Sequence, residues 1–321
     1  MGGWSPIGAM THSELQALFS RLSGMHIGVI GDFALDCYWT VNTEASLPAV
    51  ETGKPTQPVS DQRYAAGAAG NVVADLVALG CGTISAFGVV GDDPWGAELK
   101  RILEGLGADT TGMLQQEGGW ATVAYAKPHV NGVEQCRLDF GDFNHLDDAV
   151  ADSLIDRLAV ALPGLDALVI NSQAASGIHS ERLRQRLEAL IIENPSRIFV
   201  VDSRESELMY AGCTLKINDF EAVRCGDESA ASAESVSRDQ AWGAAEKLYV
   251  ERGLPVFVTR GSEGMVVFDD GEGRDVPAVR LTGEVDTVGA GDAALAGITA
   301  ALASGSAPVD AARCGTLCAA V

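Results

Sequence analysis

What most restricts the fold of this chain is an alternation repeated along its length, in which short apolar runs rich in β-formers are each followed by a stretch with helical periodicity. Residues 26–31, 83–90, 166–171, 197–202 and 255–259 read as strands buried on both faces. Between them, Leu15, Leu18, Phe19 and Leu22, and again Leu99, Ile102, Leu103 and Leu106, fall at i, i+3, i+4 and i+7, the spacing of a helix with one buried face. Strands that alternate with helices build an α/β fold: a mainly parallel central sheet with helices on both faces.

Two regions break the alternation. Residues 38–62 are rich in Pro, Thr and Val, and residues 120–139 give two strand-like runs around His129-Val130-Asn131-Gly132, whose Asn-Gly pair suits a two-residue hairpin. Strands without intervening helices do not easily join a parallel sheet, so both regions are expected to form a small β lid over one edge. No Pro/Ser-rich linker or long charge block divides the chain, which points to a loose N-terminus over 1–11 and a single domain over 12–321. With 47% hydrophobic and 21% charged residues, the chain has the material for a large core.

The formal charge of −22 sets a mean field that repels polyanions, arguing against nucleic acid and anionic membranes as partners. Any phosphate must then be held locally. Residues 1–11 carry neither a basic leader nor a long apolar run, so no signal peptide or membrane span is expected. Seven scattered cysteines without a C-x-x-C pair fit reduced, mostly buried thiols, and with them a cytoplasmic location.

The strongest local signal is Asp286-Thr287-Val288-Gly289-Ala290-Gly291-Asp292, followed by a helix with Leu295, Ile298 and Leu302 on one face. Small residues before a helix leave successive N–H groups bare, and the helix dipole adds positive potential, which together make an anion site. Asp292 is then within reach of that site, where a carboxylate can take a proton from an acceptor hydroxyl while the amides of Gly289, Ala290 and Gly291 hold phosphoryl charge.

This string resembles the D-T-x-G-A-G-D signature of the ribokinase family, also called the PfkB carbohydrate kinases, and the likeness runs in order from about residue 26 to 321. The resemblance implies a ribokinase-like fold and an ATP- and Mg²⁺-dependent sugar kinase. Gly31-Asp32-Phe33-Ala34-Leu35-Asp36 resembles the family's sugar-contacting G-D-x-x-x-D, implying that Asp32 and Asp36 bind sugar hydroxyls. Ala66-Gly67-Ala68-Ala69-Gly70-Asn71 resembles the first signature, which adds Gly67 and Asn71 to the sugar site. Asn218-Asp219-Phe220-Glu221 resembles N-x-x-E and implies that Asn218 and Glu221 organise Mg²⁺ and its waters near the ATP phosphates. On spacing alone the same four residues are also a helix capping box. Thr259-Arg260-Gly261-Ser262-Glu263-Gly264 resembles the nucleotide loop, so Thr259, Arg260, Gly261 and Gly264, with Asp286, are assigned to ATP.

Within the family, Ile30 through Trp39, Arg137-Leu138-Asp139 and Val258-Thr259-Arg260-Gly261 are most similar to the heptose-7-phosphate kinase module of ADP-heptose synthesis, implying that Arg137 approaches a sugar phosphate. Where those kinases show D-Y-x-K-G this chain has Ser172-Gln173-Ala174-Ala175-Ser176-Gly177, and Asp202-Ser203-Arg204 replaces D-P-K. Two other readings stay open: a kinase of a nucleoside or unphosphorylated sugar, and a non-catalytic sensor of the same fold. The β edge expected near 38–62 allows a homodimer through the lid.

Overall fold

The computed structural model describes residues 8, 10–203, 210–226, 235–279 and 287–320. Helix α1 (His12–Leu22) leads into β1 (His26–Gly31), β2 (Phe33–Val41) and β3 (Val59–Ala68). Then come α2 (Ala69–Ala78), β4 (Thr83–Gly91), α3 (Pro94–Gly105) and β5 (Asp109–Gln116), followed by β6 (Val123–Val130), β7 (Val133–Glu134) and β8 (Leu138–Phe140). After α4 (Asp148–Ala161) the alternation resumes with β9 (Ala167–Ser172), α5 (Glu181–Glu193), β10 (Ile198–Ser203) and β11 (Thr214–Asn218). Helices α6 (Asp219–Gly226) and α7 (Arg238–Arg252) precede β12 (Val256–Thr259), β13 (Met265–Asp269) and β14 (Glu272–Val276), and α8 (Ala290–Ala303) and α9 (Pro308–Cys318) follow.

The main sheet has the order β14-β13-β12-β11-β10-β9-β1-β4-β5. Every pair from β12 to β5 is parallel, and β13 and β14 extend it as an antiparallel edge. The two-residue period of a strand explains why its centre reads as continuous apolar runs: Val29, Val169, Val200 and Phe257 enter a core with α1, α2, α3, α8 and α9. Their neighbours Ile30, Ile170, Val201 and Val258 enter a second core with α4, α5, α6 and α7 on the other face. Phe19, expected on the buried face of α1, is 44% exposed, because Leu18 and Leu22 alone carry that contact. Thr11, assigned to the loose N-terminus, caps α1 in a capping box with Glu14. Among the described residues no helix is long and apolar enough to cross a membrane.

A second sheet has the order β3-β2-β6-β7, with β8 also on β6. Asn131 and Gly132 both take positive φ, 51° and 79°, and form the two-residue turn between β6 and β7. The sheet reaches beyond the segments read from sequence: β2 begins at Phe33, directly after β1, and β3 runs on to Ala68 at the start of α2, whereas residues 43–58 contain a short 3₁₀ turn and one isolated bridge. Leu35 and Cys37 are fully buried in the core, so Ala34, Asp36 and Tyr38 lie on the opposite face.

Gly31 closes β1 against β9, and a Cβ there would collide with the carbonyl of Asn171. Gly31→Ala is expected to part these strands just below the site described next and to cost about 1–3 kcal/mol of stability, as overpacking does. Urea denaturation compared with wild type checks this.

Candidate active site

Parallel α/β sheets bind ligands beyond the carboxyl ends of their strands. In this chain Gly31, Asn171 and Asp202 are register partners at the ends of β1, β9 and β10, and Asn218 pairs with Thr259 at the ends of β11 and β12. Above them lies a cleft of about 190 Å³ lined by Ser172, Gln173, Asp202, Lys216, Asn218, Glu221, Gly289, Gly291 and Asp292.

Helix α8 supplies the centre of the cleft. Gly289 precedes it with φ 84°, a left-handed conformation that glycine adopts without steric cost. Ala293 N–H donates the first helical bond to the Gly289 carbonyl at 2.9 Å, and Ala290 N–H donates at 3.3 Å to Thr287. Of the amides expected to hold an anion, Ala290 is therefore partly committed, while those of Gly291 and Asp292 lie in the turn where a helix offers no carbonyl to accept them. Residues 294–301 are buried, mostly alanine and other apolar side chains, which anchors the helix between the sheet and α9. Asp292, 7% exposed, is thus held firmly at the cleft.

The Asp292 carboxylate is gripped at both oxygens. Asn71 Nδ2 donates to Oδ2 at 3.0 Å and Gln173 Nε2 donates to Oδ1 at 2.8 Å. Burial pushes its carboxyl above the usual aspartate range; the bond from Asn71 pulls it down, the charge on Asp202 raises it, and Gln173 and Lys216 lower it. Asn71 reaches the site from the first turn of α2, whose preceding residue, Ala68, takes φ 53°, an uncommon conformation for a residue with a side chain.

Lys216 was not singled out from the sequence. It stands in the buried strand β11 with 4% exposure, and its Nζ lies 2.7 Å from Asp202 Oδ2. Gly291 permits that position, since a Cβ on it would come 3.3 Å from the ammonium. A buried ammonium is costly even when paired, and this one stands beside the amides at the start of α8. The legible signal was a lysine inside an otherwise apolar strand.

Asp32 is already engaged by the backbone. At 3% exposure, its Oδ2 accepts the N–H groups of Gln173 and Ala174, both at 2.9 Å, and its Oδ1 accepts that of Ile178 at 2.8 Å. Asp36 pairs with Lys127 Nζ at 2.7 Å, and Gly67 stands against it, where a Cβ would come 3.0 Å from Asp36 Oδ2. The residue of the second sheet that meets this carboxylate is Lys127, in β6. Arg137, expected to be presented to substrate, forms a bidentate pair with Asp139 at 2.6 Å and stacks over Tyr125.

Asn218 and Glu221 form the capping box of α6: Glu221 N–H donates to Asn218 Oδ1 at 2.8 Å and Asn218 N–H to Glu221 Oε2 at 3.2 Å. Both also line the cleft. The turn 259–264 starts level with Asn218, and Arg260 lies close enough to Asp219 for its charge to offset part of the upward shift that burial causes in that carboxyl. Asp286 and Arg204 lie outside the described residues.

The cleft lining carries three carboxylates, Asp202, Glu221 and Asp292, against one ammonium. Its charge and hard oxygen donors suit Mg²⁺, which keeps much of its own water and binds through one or two carboxylates together with phosphate oxygens. Among the described residues no group of three or more His, Cys, Asp or Glu forms a metal cage, so such an ion would depend on phosphates and water for its remaining ligands.

The pfkB family carbohydrate kinase model matches residues 32–321. The bifunctional protein HldE of Mesorhizobium japonicum is 31% identical over 301 residues, covering 93% of this chain and 58% of that protein, so the chain spans little more than half the length of this curated relative. Phosphofructokinase-2 from Escherichia coli, in a structure of its tetrameric inhibited form, aligns with a TM-score of 0.72 at 19% identity over 92% of this chain and 93% of its own. Arabidopsis thaliana ribokinase, solved with ribose and ATP, gives 0.70 at 17% over 92% of each chain. Both share the ribokinase-like fold seen here.

A half-buried acid sits near Asp292. Burial, and then the charge on Asp292, raise the carboxyl of Asp75 in α2 to about 6. The folded protein thus holds a proton that the unfolded chain releases, so this contribution to stability is full below about pH 4 and lost as pH rises through about 6. Asp75→Asn, which cannot ionise, should melt higher than wild type at pH 7, and the gap should close between pH 6 and 4. Melting curves across pH 4–8 read the difference.

Proposed function

This chain belongs to the pfkB family of carbohydrate kinases, and from that premise we propose that it transfers the γ-phosphate of ATP to a hydroxyl of a phosphorylated sugar, heptose 7-phosphate being the candidate, with Asp292 as the base. The observation that carries the reading is the juxtaposition of a buried carboxylate, the bare amides of Gly291 and Asp292, and the Lys216 ammonium in one cleft.

In this reading the sugar hydroxyl gives its proton to the Asp292 carboxylate as its oxygen attacks phosphorus. The bond from phosphorus to the ADP oxygen breaks, and the amides of Gly291 and Asp292 together with Lys216 stabilise the charge on the migrating phosphoryl group. ATP lies along Asn218–Glu221 and the 259–264 turn; the side-by-side register of β11 and β12 supports this, since both segments start at one end of the sheet. Mg²⁺, when bound near Glu221 and Asn218, supplies charge neutralisation on the phosphates.

Support for a phosphorylated substrate comes from the lid. Asp36, Tyr38, Tyr125 and Lys127 share the face of the second sheet turned away from the core, because residues in register point the same way. Arg63 stacks over Tyr38 at 4.1 Å, Lys127 Nζ lies 4.9 Å from the same ring, and Arg137 covers Tyr125 at 4.5 Å. Lys127 and Arg137 are already paired with Asp36 and Asp139, so a sugar phosphate on this face would share these cations with carboxylates. The heptose assignment draws on the sequence strings noted above and on the relationship to HldE.

ATP consumption measured across a panel of sugars, each with and without a phosphate, tests the substrate. Heptose 7-phosphate should exceed the free sugars and nucleosides in kcat/KM by about 10² or more, the scale of a well-placed charged contact; an unphosphorylated sugar or a nucleoside turned over equally well would overturn the phosphorylated-substrate reading. Asp292→Asn should lower kcat by about 10³ or more with ATP binding retained.

A further inference from the structure

The assignment of Asp292 as base leaves open what aims its carboxylate, and the inference here rests on that assignment. Asn71, which holds Oδ2, is fixed by a helix. Gln173, which holds Oδ1, is the first residue after β9 and belongs to no regular element. Its position is set by another carboxylate, because three N–H groups of the turn 173–178 converge on Asp32. The turn is closed so tightly that a Cβ on Gly177 would run into the Asp32 carboxylate, and His179 beyond it is tied to the Tyr210 hydroxyl at 2.8 Å and the Asn171 carbonyl at 3.1 Å.

We propose that Gln173 is a positioning residue for phosphoryl transfer: carried by the Asp32-clamped turn, its side-chain amide fixes the direction of the Asp292 carboxylate and favours its ionised form. An ionised carboxylate only accepts hydrogen bonds, so the NH₂ end of Gln173 is the end that must face it. A side-chain amide has no charge to gain or lose in the working pH range, so the bond persists whether or not neighbouring groups titrate. The charged groups facing Asp292 are Asp75 from α2, Asp202 from β10 and Lys216 from β11. Two of the three are negative and oppose ionisation, and burial opposes it too, which makes the neutral donors Asn71 and Gln173, with Lys216, the groups that keep a usable base. Asp32 thereby acts at a distance: its charge is spent on the backbone of the turn, and the turn delivers the side chain.

The test is the pH dependence of kcat/KM, whose acid limb reports the free enzyme's base. Gln173→Met keeps the volume and removes the donor. It should move the acid limb upward by about one pH unit and lower kcat about tenfold, with KM for ATP unchanged. Gln173→Glu puts a second carboxylate against Asp292 and should move the limb further than Met does. Asp32→Asn, which cannot accept the three N–H groups, should shift the limb in the same direction; a rise in sugar KM with the limb in place would show that Asp32 acts on substrate and not through the turn, and would overturn that part of the inference. Should Asp292→Asn retain turnover, the base assignment itself fails. If instead Asp292→Asn is inactive while Gln173→Met keeps the wild-type limb and kcat, the proposal for Gln173 fails alone.

Discussion

Everything in this active site depends on one buried charge. A carboxylate at 7% exposure would ordinarily take up a proton and stay neutral, yet the role of base proposed for Asp292 requires it ionised near neutral pH. The chain offsets this by giving Asp292 two neutral side-chain amide donors, the nearby charge of Lys216, and a place at the start of a helix whose dipole favours negative charge. Each of these groups comes from a different part of the chain, and the order of the parallel strands brings Gln173 and Lys216 together near the carboxyl ends of central strands. The same dipole and amides that steady this carboxylate would also suit the migrating phosphoryl group of the proposed reaction.

The charge balance is close. Asp202 both secures Lys216 in the interior and, by its own charge, works against ionisation of Asp292. Asp75 adds a further negative neighbour. If ATP binds here as proposed, a cleft this acidic would repel the bare polyphosphate and favour its metal-bound form.

Much of this was legible in the sequence, for reasons that differ from residue to residue. The five strands announced themselves because a parallel sheet covered on both faces needs unbroken apolar runs, and Gly289 to Asp292 because the requirements of a helix N-terminus are local. Asn71 was found through its signature, but its bond to Asp292 spans 221 positions and no local pattern encodes it. Asp32 shows the opposite case: its carboxylate meets backbone N–H groups 141 to 146 positions away, which any residue type could supply, so composition gave no hint of the clamp. Lys127 was not legible as the partner of Asp36, because their meeting follows from the parallel pairing of β2 and β6, a register that strand propensity does not specify. Asn218 and Glu221 satisfy both the capping and the cleft-lining reading, since the start of α6 forms part of the cleft wall.

The most direct test of the account is a crystal structure of the protein with ADP, Mg²⁺, sugar phosphate and a planar metal fluoride that mimics the migrating phosphoryl group. The fluoride should sit on the amides of Gly291 and Asp292 within reach of Lys216 Nζ, with the acceptor hydroxyl bonded to the Asp292 carboxylate and Gln173 still holding its other oxygen. A fluoride bound elsewhere, or an acceptor hydroxyl turned away from Asp292, would contradict it.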